Sequence, residues 1–216
     1  MSSQNKYELY YFKHAGLATT IRTILEIVNA DYTIKGVEDW ASEKANTPFG
    51  QVPVLYVIRS NGMRYEIAES QAISRYLGRE HGLVGNTNEE NALVDMVMDS
   101  LFELLIGLLK YYVLENEEDE KDACKNAVLE DSKKLLPFHE KLIKKHGGNG
   151  HYLQSKLTLA DIHLFTMLIG LQEFLGKEAY SAVVSEDKTP ELVKVFETVK
   201  KEKGVQRLFE ENYYHF

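Results

Sequence analysis

One proline constrains this chain more than any other residue: Pro53, at the head of the hydrophobic run Val52-Pro53-Val54-Leu55-Tyr56-Val57-Ile58. Proline has no N–H for a sheet ladder, so it belongs where a strand begins or at a sheet edge. Asn61-Gly62 follows, the strongest short-range hairpin signal in the sequence, and residues Met63 to Ile67 return as an antiparallel strand. Glu69-Ser70 then leads into an amphipathic helix with Ile73, Tyr76 and Leu77 on one face. Upstream, the short aromatic-rich segment Tyr7 to Phe12 reads as a strand. Gly16 opens a segment with Leu17, Ile21, Ile24, Leu25 and Val28 at helical spacing, and Tyr32-Thr33-Ile34-Lys35 reads as a second strand. Strand, helix, strand is the pattern that gives parallel pairing through a crossover. An irregular stretch around Trp40, ending in Pro48-Phe49-Gly50-Gln51, joins the two pieces. A βαβ unit followed by a ββα unit predicts a four-stranded thioredoxin-like α/β domain over residues 1–82.

From Gly82 to Asn88 the composition shifts to Gly, Asn and Thr and strand signals cease, which marks a linker. Residues 89–216 read as an all-helical domain. A long helix runs from about Glu89 to Leu114 and another from about Lys121 to His146, with Gly147-Gly148-Asn149-Gly150 as a loop. Thr158-Leu159-Ala160-Asp161 has the form of a capping box, with Leu157 and Ile162 placed as its hydrophobic staple. It starts the strongly apolar helix Ile162 to Leu175, the expected core of the rear half. Pro190 opens a further helix, where its missing N–H is harmless. The fold class is therefore α/β plus all-α, a thioredoxin-like domain followed by a helical bundle.

No stretch approaches the roughly 20 apolar residues of a membrane span. The opening residues lack the apolar core of a signal peptide. The single cysteine, Cys124, excludes an intramolecular disulfide or a Cys-x-x-Cys site, and its position in the rear half reads as inert. A cytoplasmic location, with no membrane partner, fits these features. Net charge is −8, from 33 acidic against 25 basic residues, and Lys/Arg clusters stay short, which argues against a nucleic-acid partner. The acidic run Glu115 to Asp122 reads as a solvated turn between helices, with a metal or partner site as the alternative.

The front half also contains the outline of a site. A cis bond before Pro53 would turn the backbone of Val52 outward, so that its N–H and C=O can pair with an extended ligand; a plain edge-strand proline is the alternative. Glu69-Ser70 lies where a helix begins, and exposed N–H groups with the positive end of the helix dipole favour a carboxylate there. Ser70 as a simple N-cap is the other reading. Together Gln51, Val52, Pro53, Glu69 and Ser70 describe a slot with one peptide-like edge and one anion-binding end.

These residues carry a resemblance. Leu9-Tyr10-Tyr11-Phe12, Trp40 with Lys44, Pro48 to Leu55 and Glu69 to Leu77 resemble the cytosolic glutathione S-transferases, closest to the tyrosine-using sigma and pi-like classes. In the rear half Val94 to Asp99 and Leu157 to Asp161 fit the same family, so the likeness extends over essentially the whole chain. The resemblance implies the family fold and a homodimer that conjugates glutathione, as co-substrate, to small hydrophobic electrophiles, with no cofactor and no metal. It implies that Gln51 and Val52, before Pro53, hold the cysteinyl backbone of glutathione and that Glu69 and Ser70 hold its γ-glutamyl end. Trp40 and Lys44 would lie at the glycine carboxylate, and Asp99 would reach the γ-glutamyl amine from the other subunit. Tyr11 would be the catalytic residue, its phenol donating a hydrogen bond to the glutathione sulfur; by pattern alone it reads as a buried strand aromatic. The electrophile pocket would be lined by Phe12, His14, Leu105 and Leu109, although leucines at helical spacing also read as core. Phe49 reads either as a dimer-interface plug or as local packing. The terminal Tyr213-Tyr214-His215-Phe216 reads as a frayed end or, alternatively, a lid on the pocket.

One departure stands out. Family members of these classes read Arg-Gly-Arg after the tyrosine, whereas this chain reads Ala15-Gly16-Leu17. Both guanidinium groups are gone, which puts the strength of thiol activation in question. Lys13 and His14 can supply positive charge or can be ordinary loop residues, and Arg22 matches a separate family arginine. The rival to the enzyme is a non-catalytic glutathione-binding or structural member, as the lens crystallins of this family are. An isomerase of an unsaturated lipid would use the same site, and an interaction module of the translation-factor or chaperone type is a more distant alternative.

Overall fold

In a computed structural model of the chain, residues 5–113, 118–154 and 156–214 are described. Four strands, β1 (Lys6–Tyr11), β2 (Asp31–Gly36), β3 (Val54–Ile58) and β4 (Arg64–Ala68), form one sheet in the order β2-β1-β3-β4. β1 pairs parallel with β2 through the crossover helix α1 (Thr19–Ile27), and β3 pairs antiparallel with both β1 and β4. The sheet is thus mixed, as the βαβ-plus-ββα reading expects. β3 begins at Val54, so Pro53 precedes the ladder, where its missing donor costs no sheet hydrogen bond. The Val52–Pro53 bond is cis, in agreement with the expectation for that position.

The β3–β4 connection is closed by the Asn61-Gly62 turn. Gly62 takes φ 82°, and Arg59 and Met63 pair through the N–H of Arg59 and the carbonyl of Met63 at 2.9 Å. The stretch around Trp40, read as irregular, is in fact ordered into a single helical turn, α2 (Trp40–Glu43), with a 3₁₀ turn over Lys44–Asn46. Tyr10 donates to the Glu43 carboxylate and so ties this segment to β1, a long-range contact that local periodicity does not encode.

α3 (Ser70–Glu80) and α1 turn their apolar faces inward, with Ile21, Ile24, Leu25, Ile73 and Leu77 fully buried. α4 (Asn88–Val113), α5 (Glu118–His146), α6 (Leu159–Leu175), α7 (Lys177–Ser181) and α8 (Pro190–Lys200) form the helical part. α6 is the apolar centre expected: every residue except Gln172 and Glu173 is buried. Its capping box is present, with Asp161 accepting from the Thr158 N–H at 2.7 Å and also from the Tyr152 N–H at 2.7 Å. The acidic run Glu115 to Asp122 falls partly outside the described residues; from Glu118 onward the chain is already α5.

Packing assigns the chain to two units. One comprises the residues through His81 together with the segment from Lys203 onward; the other is Gly82–Glu202. The unit boundary at Gly82 falls in the Gly/Asn/Thr stretch. The closing helix α9 (Lys203–Glu210), placed by the sequence reading with the rear half, packs on α1 in the first unit instead. Arg207 donates to the Glu26 carboxylate and to the Glu26 carbonyl, both at 2.9 Å. The following residues are not frayed: Tyr214 is 5% exposed, with its hydroxyl 3.1 Å from Thr23 Oγ1. Of the tail, His215 and Phe216 lie outside the described residues.

Candidate functional site

The pairing registers bring the candidate residues of the first unit together. β1 and β3 pair Tyr10 with Val54, and β3 and β4 pair Val54 with Ala68. One residue further along each strand, Tyr11, Pro53 and Glu69 fall in a row across the end of the sheet, and Gly36 continues the row through its pairing with Tyr11. Adjacent strands lie about 4.8 Å apart, so Tyr11 and Glu69 are separated by about 10 Å. An extended tripeptide spans about the same length.

Glu69 has φ 69°, outside the usual range of a non-glycine residue, and occupies the N-cap position of α3. Ser70 is the first helical residue and is buried. Its reading as N-cap is therefore corrected by one position: the first turn of α3 begins after Glu69, with the N–H of Ile73 bonded to the Glu69 carbonyl at 2.9 Å. On the other side of the row, the Lys44 side chain lies across Gly50, where a Cβ would come 3.2 Å from Lys44 Cε. Lys44 thus borders the loop that ends in Gln51, which is exposed.

Tyr11 is 6% exposed at the end of β1. Its hydroxyl oxygen accepts the N–H of Leu17 at 3.0 Å. Burial pushes the phenol above its ordinary pKa and the Leu17 N–H pulls it back, so the group stays protonated at neutral pH. Gly16 is required beside it, since a Cβ there would lie 2.6 Å from Tyr11 Oη. Aromatic rings surround the phenol. Phe12 stacks on His14 at 5.5 Å and meets Trp40 edge-on at 5.9 Å, while Tyr11 meets Phe12 edge-on at 5.6 Å.

Three basic side chains, Lys13, His14 and Arg22, lie in or near the turn that lacks the two guanidinium groups, and Lys13 and Arg22 border one small cavity with Tyr11. The Lys13 stem lies across Gly36. His14 Nδ1 donates to the Ala15 carbonyl at 2.7 Å, and its ring stands 6.1 Å from that of Tyr11. Arg22 is paired with Glu211, donates to Tyr32 at 3.3 Å and lies over the Tyr213 ring at 4.1 Å. The group that does contact the Tyr11 hydroxyl is the main-chain N–H of Leu17, which sequence reasoning missed: a backbone donor leaves no residue-type signal.

In the second unit, Asp99 is exposed on α4 and Leu105 and Leu109 are partly exposed on the same helix. α4 and α5 also border an apolar groove of about 340 Å³ lined by Met96, Val97, Leu135, Phe138 and Leu142. Under it, His139 is linked through one ring nitrogen to Ser100 at 3.1 Å and through the other to the Tyr152 hydroxyl at 2.7 Å. Ser100 donates its proton to the Val97 carbonyl, so the imidazole does not act on it as a base. Cys124 donates to the Gly107 carbonyl at 3.5 Å. Phe49 is 68% exposed in the first unit, so local packing does not account for it.

A thioredoxin-like sheet with a tyrosine at the end of its first strand, and a separate helical unit, define the architecture of the glutathione transferases. The comparisons with known proteins agree: residues 7–79 match the glutathione S-transferase N-terminal domain, and residues 103–212 match the glutathione S-transferase C-terminal domain. The chain belongs to the glutathione S-transferase family. It is 33% identical over 162 residues to glutathione S-transferase 1 of Ascaris suum, covering 73% of this chain and 76% of the relative. It is 32% identical over 164 residues to S-crystallin SL11 of Nototodarus sloanii, covering 72% and 75%. The crystal structure of the glutathione S-transferase from Ascaris lumbricoides superposes with a TM-score of 0.80 at 26% identity, covering 95% of this chain and 97% of that one. Among the described residues, no helix is long and apolar enough to cross a membrane.

Proposed function

We propose that this chain is a dimeric cytoplasmic glutathione transferase in which Tyr11 activates the glutathione thiol for attack on small hydrophobic electrophiles. The observation that carries the reading is the Tyr11 hydroxyl: buried, protonated, and with one lone pair already taken by the Leu17 N–H. Its own proton is left to donate outward. A free thiol ionises near pH 8.5, and only the thiolate is a good nucleophile. A hydrogen bond that favours the anion lowers the thiol pKa, each unit corresponding to about 1.4 kcal/mol. The thiol proton leaves to solvent, the sulfur forms a bond to the electrophilic carbon, and that carbon's leaving group departs with its electron pair.

The row Tyr11–Pro53–Glu69 supports a tripeptide laid across the sheet end. In this reading Gln51 and Val52 hold its cysteinyl backbone, Glu69 and Ser70 its γ-glutamyl end, and Trp40 and Lys44 its glycine carboxylate. Asp99 of the partner subunit completes the γ-glutamyl contacts. The electrophile lies against Phe12 and His14. Dimer formation is supported by two exposed apolar features, Phe49 and the groove beside Met96 and Phe138.

The second reading, a non-catalytic member, draws on the similarity to S-crystallin SL11 and on Ala15 and Leu17 at the positions of the two lost arginines. Conjugation of chlorodinitrobenzene separates the two. The enzyme reading expects turnover that falls about 100-fold in Tyr11→Phe, the lower end of what positioned proton donors contribute. Glutathione binding by calorimetry without turnover in the wild type favours a non-catalytic glutathione-binding member, and no binding at all removes the enzyme and leaves a structural, crystallin-like one. Leu17→Arg adds a control: if the lost guanidinium limits the rate, turnover rises.

A further inference from the structure

The loop between β1 and α1 carries a base as well as a donor. Of the three basic side chains in or near it, the Lys13 ammonium and the Arg22 guanidinium have no lone pair to offer, so only the imidazole of His14 can take up a proton. The tautomer of the neutral ring is fixed. A carbonyl can only accept, so the 2.7 Å contact between His14 Nδ1 and the Ala15 oxygen places the hydrogen on Nδ1 and leaves the lone pair on Nε2. The plane of the ring is held as well. It lies parallel to Phe12, with 5° between the planes at 5.5 Å, and Phe12 meets Trp40 edge-on at 5.9 Å. Tyr11 meets both rings of the stack edge-on, Phe12 at 5.6 Å and His14 at 6.1 Å. One short loop thus gives the phenol a backbone donor, the Leu17 N–H, and a neighbour with a lone pair. His14 is also exposed, so a proton held there can pass to water.

We propose that His14 is the general base of this chain: its Nε2 takes the proton of the glutathione thiol while the Tyr11 hydroxyl donates to the sulfur. The proposal rests on the reading that places the sulfur of glutathione at Tyr11. Ring centroids 6.1 Å apart leave room for one sulfur atom to meet both polar edges. The S–H bond breaks with its electron pair left on sulfur, and the proton bonds to Nε2. Once the sulfur has bonded to the electrophilic carbon, the imidazolium returns its proton to solvent. In between, the imidazolium is a cation beside the thiolate. Ala15 and Leu17 cannot supply that charge, and here it arises only as the thiol ionises. The Ala15 carbonyl orients the base, as a third group does for other activated nucleophiles.

Histidine nitrogen resonances of the unaltered protein test the proton transfer directly, with those of His14 assigned by their loss in His14→Gln. The free protein is expected to show the Nδ1–H tautomer. Saturating glutathione is expected to convert it to the imidazolium, and S-methylglutathione, which has no thiol proton to give, is expected to leave it neutral. A His14 ring that responds alike to the two ligands overturns the proposal.

Kinetics separate a base from a pocket wall. His14→Gln is expected to lower the thiolate fraction of bound glutathione at neutral pH, read from its absorbance, by about tenfold, the low end of what an opposite charge at close range supplies. Turnover should fall with it while KM for glutathione is unchanged, and added imidazole should restore turnover to His14→Ala but not to Tyr11→Phe. If His14→Gln alters only KM for the electrophile and imidazole restores nothing, His14 is lining and the proposal falls. Failure of the Tyr11 reading looks different: Tyr11→Phe then leaves the thiolate fraction unmoved. A loss of thiolate in His14→Gln alone upholds the base without the phenol, and no loss in either variant removes both.

Discussion

Tyr11 depends on the smallest of its neighbours. At Gly16 the backbone passes so near the phenol that any Cβ would displace the hydroxyl, and the residue's φ of 155° also lies in a range that side chains disfavour. Gly16→Ala is therefore expected to lower turnover at least tenfold and stability by about 1–3 kcal/mol, read from chlorodinitrobenzene conjugation and urea titration. Leu17→Ala, which leaves the amide in place, is expected to keep turnover within about twofold, as surface-proximal substitutions commonly do. The contrast shows what was legible at this scale. Tyr11, Pro53 and Glu69 announce themselves because their chemistry resides in side chains or in a ring. The Leu17 amide does not, since every residue but proline would supply the same atom.

Among the elements, the four strands, their two local pairings and the long helices followed from periodicity and from turn residues such as Asn61-Gly62. The single turn at Trp40–Glu43 and the docking of α9 did not, because each depends on distant partners: Glu43 on Tyr10, and Arg207 on Glu26. The α4–α5 pair holds a similar long-range feature in His139. Burial holds its imidazole down to about 4 from an ordinary 6.5, so the folded protein keeps it neutral where the unfolded chain would take up a proton. Stability is then full above pH 6.5 and declines as pH falls from 6.5 to about 4, by about 3 kcal/mol in all. Thermal melts across that range should show the decline, and His139→Gln should flatten it while lowering stability at neutral pH through loss of the links to Ser100 and Tyr152.

At the scale of the whole molecule, the family was legible because its motifs occur in order along the full chain, and family models match both halves. The proposed dimer is the next level up. Phe49→Asp is expected to weaken self-association, giving a monomer at micromolar concentration in analytical ultracentrifugation where the wild type is expected to sediment as a dimer. Burial of a charge in an apolar contact is costly, and an anchoring aromatic commonly contributes 2 kcal/mol or more. Within the first unit, the hairpin has a consequence of its own. Val54 faces Ala68 because the tight bend at the far end of the two strands fixes how many residues lie between them. That bend is a ruler for a distant place: one amino acid added to it would slide Glu69 out of line with Tyr11, with no atom of the binding edge changed. A loop at the remote end of the sheet, with open space where its glycine would carry a Cβ, thereby sets the gauge of the row proposed to hold a tripeptide.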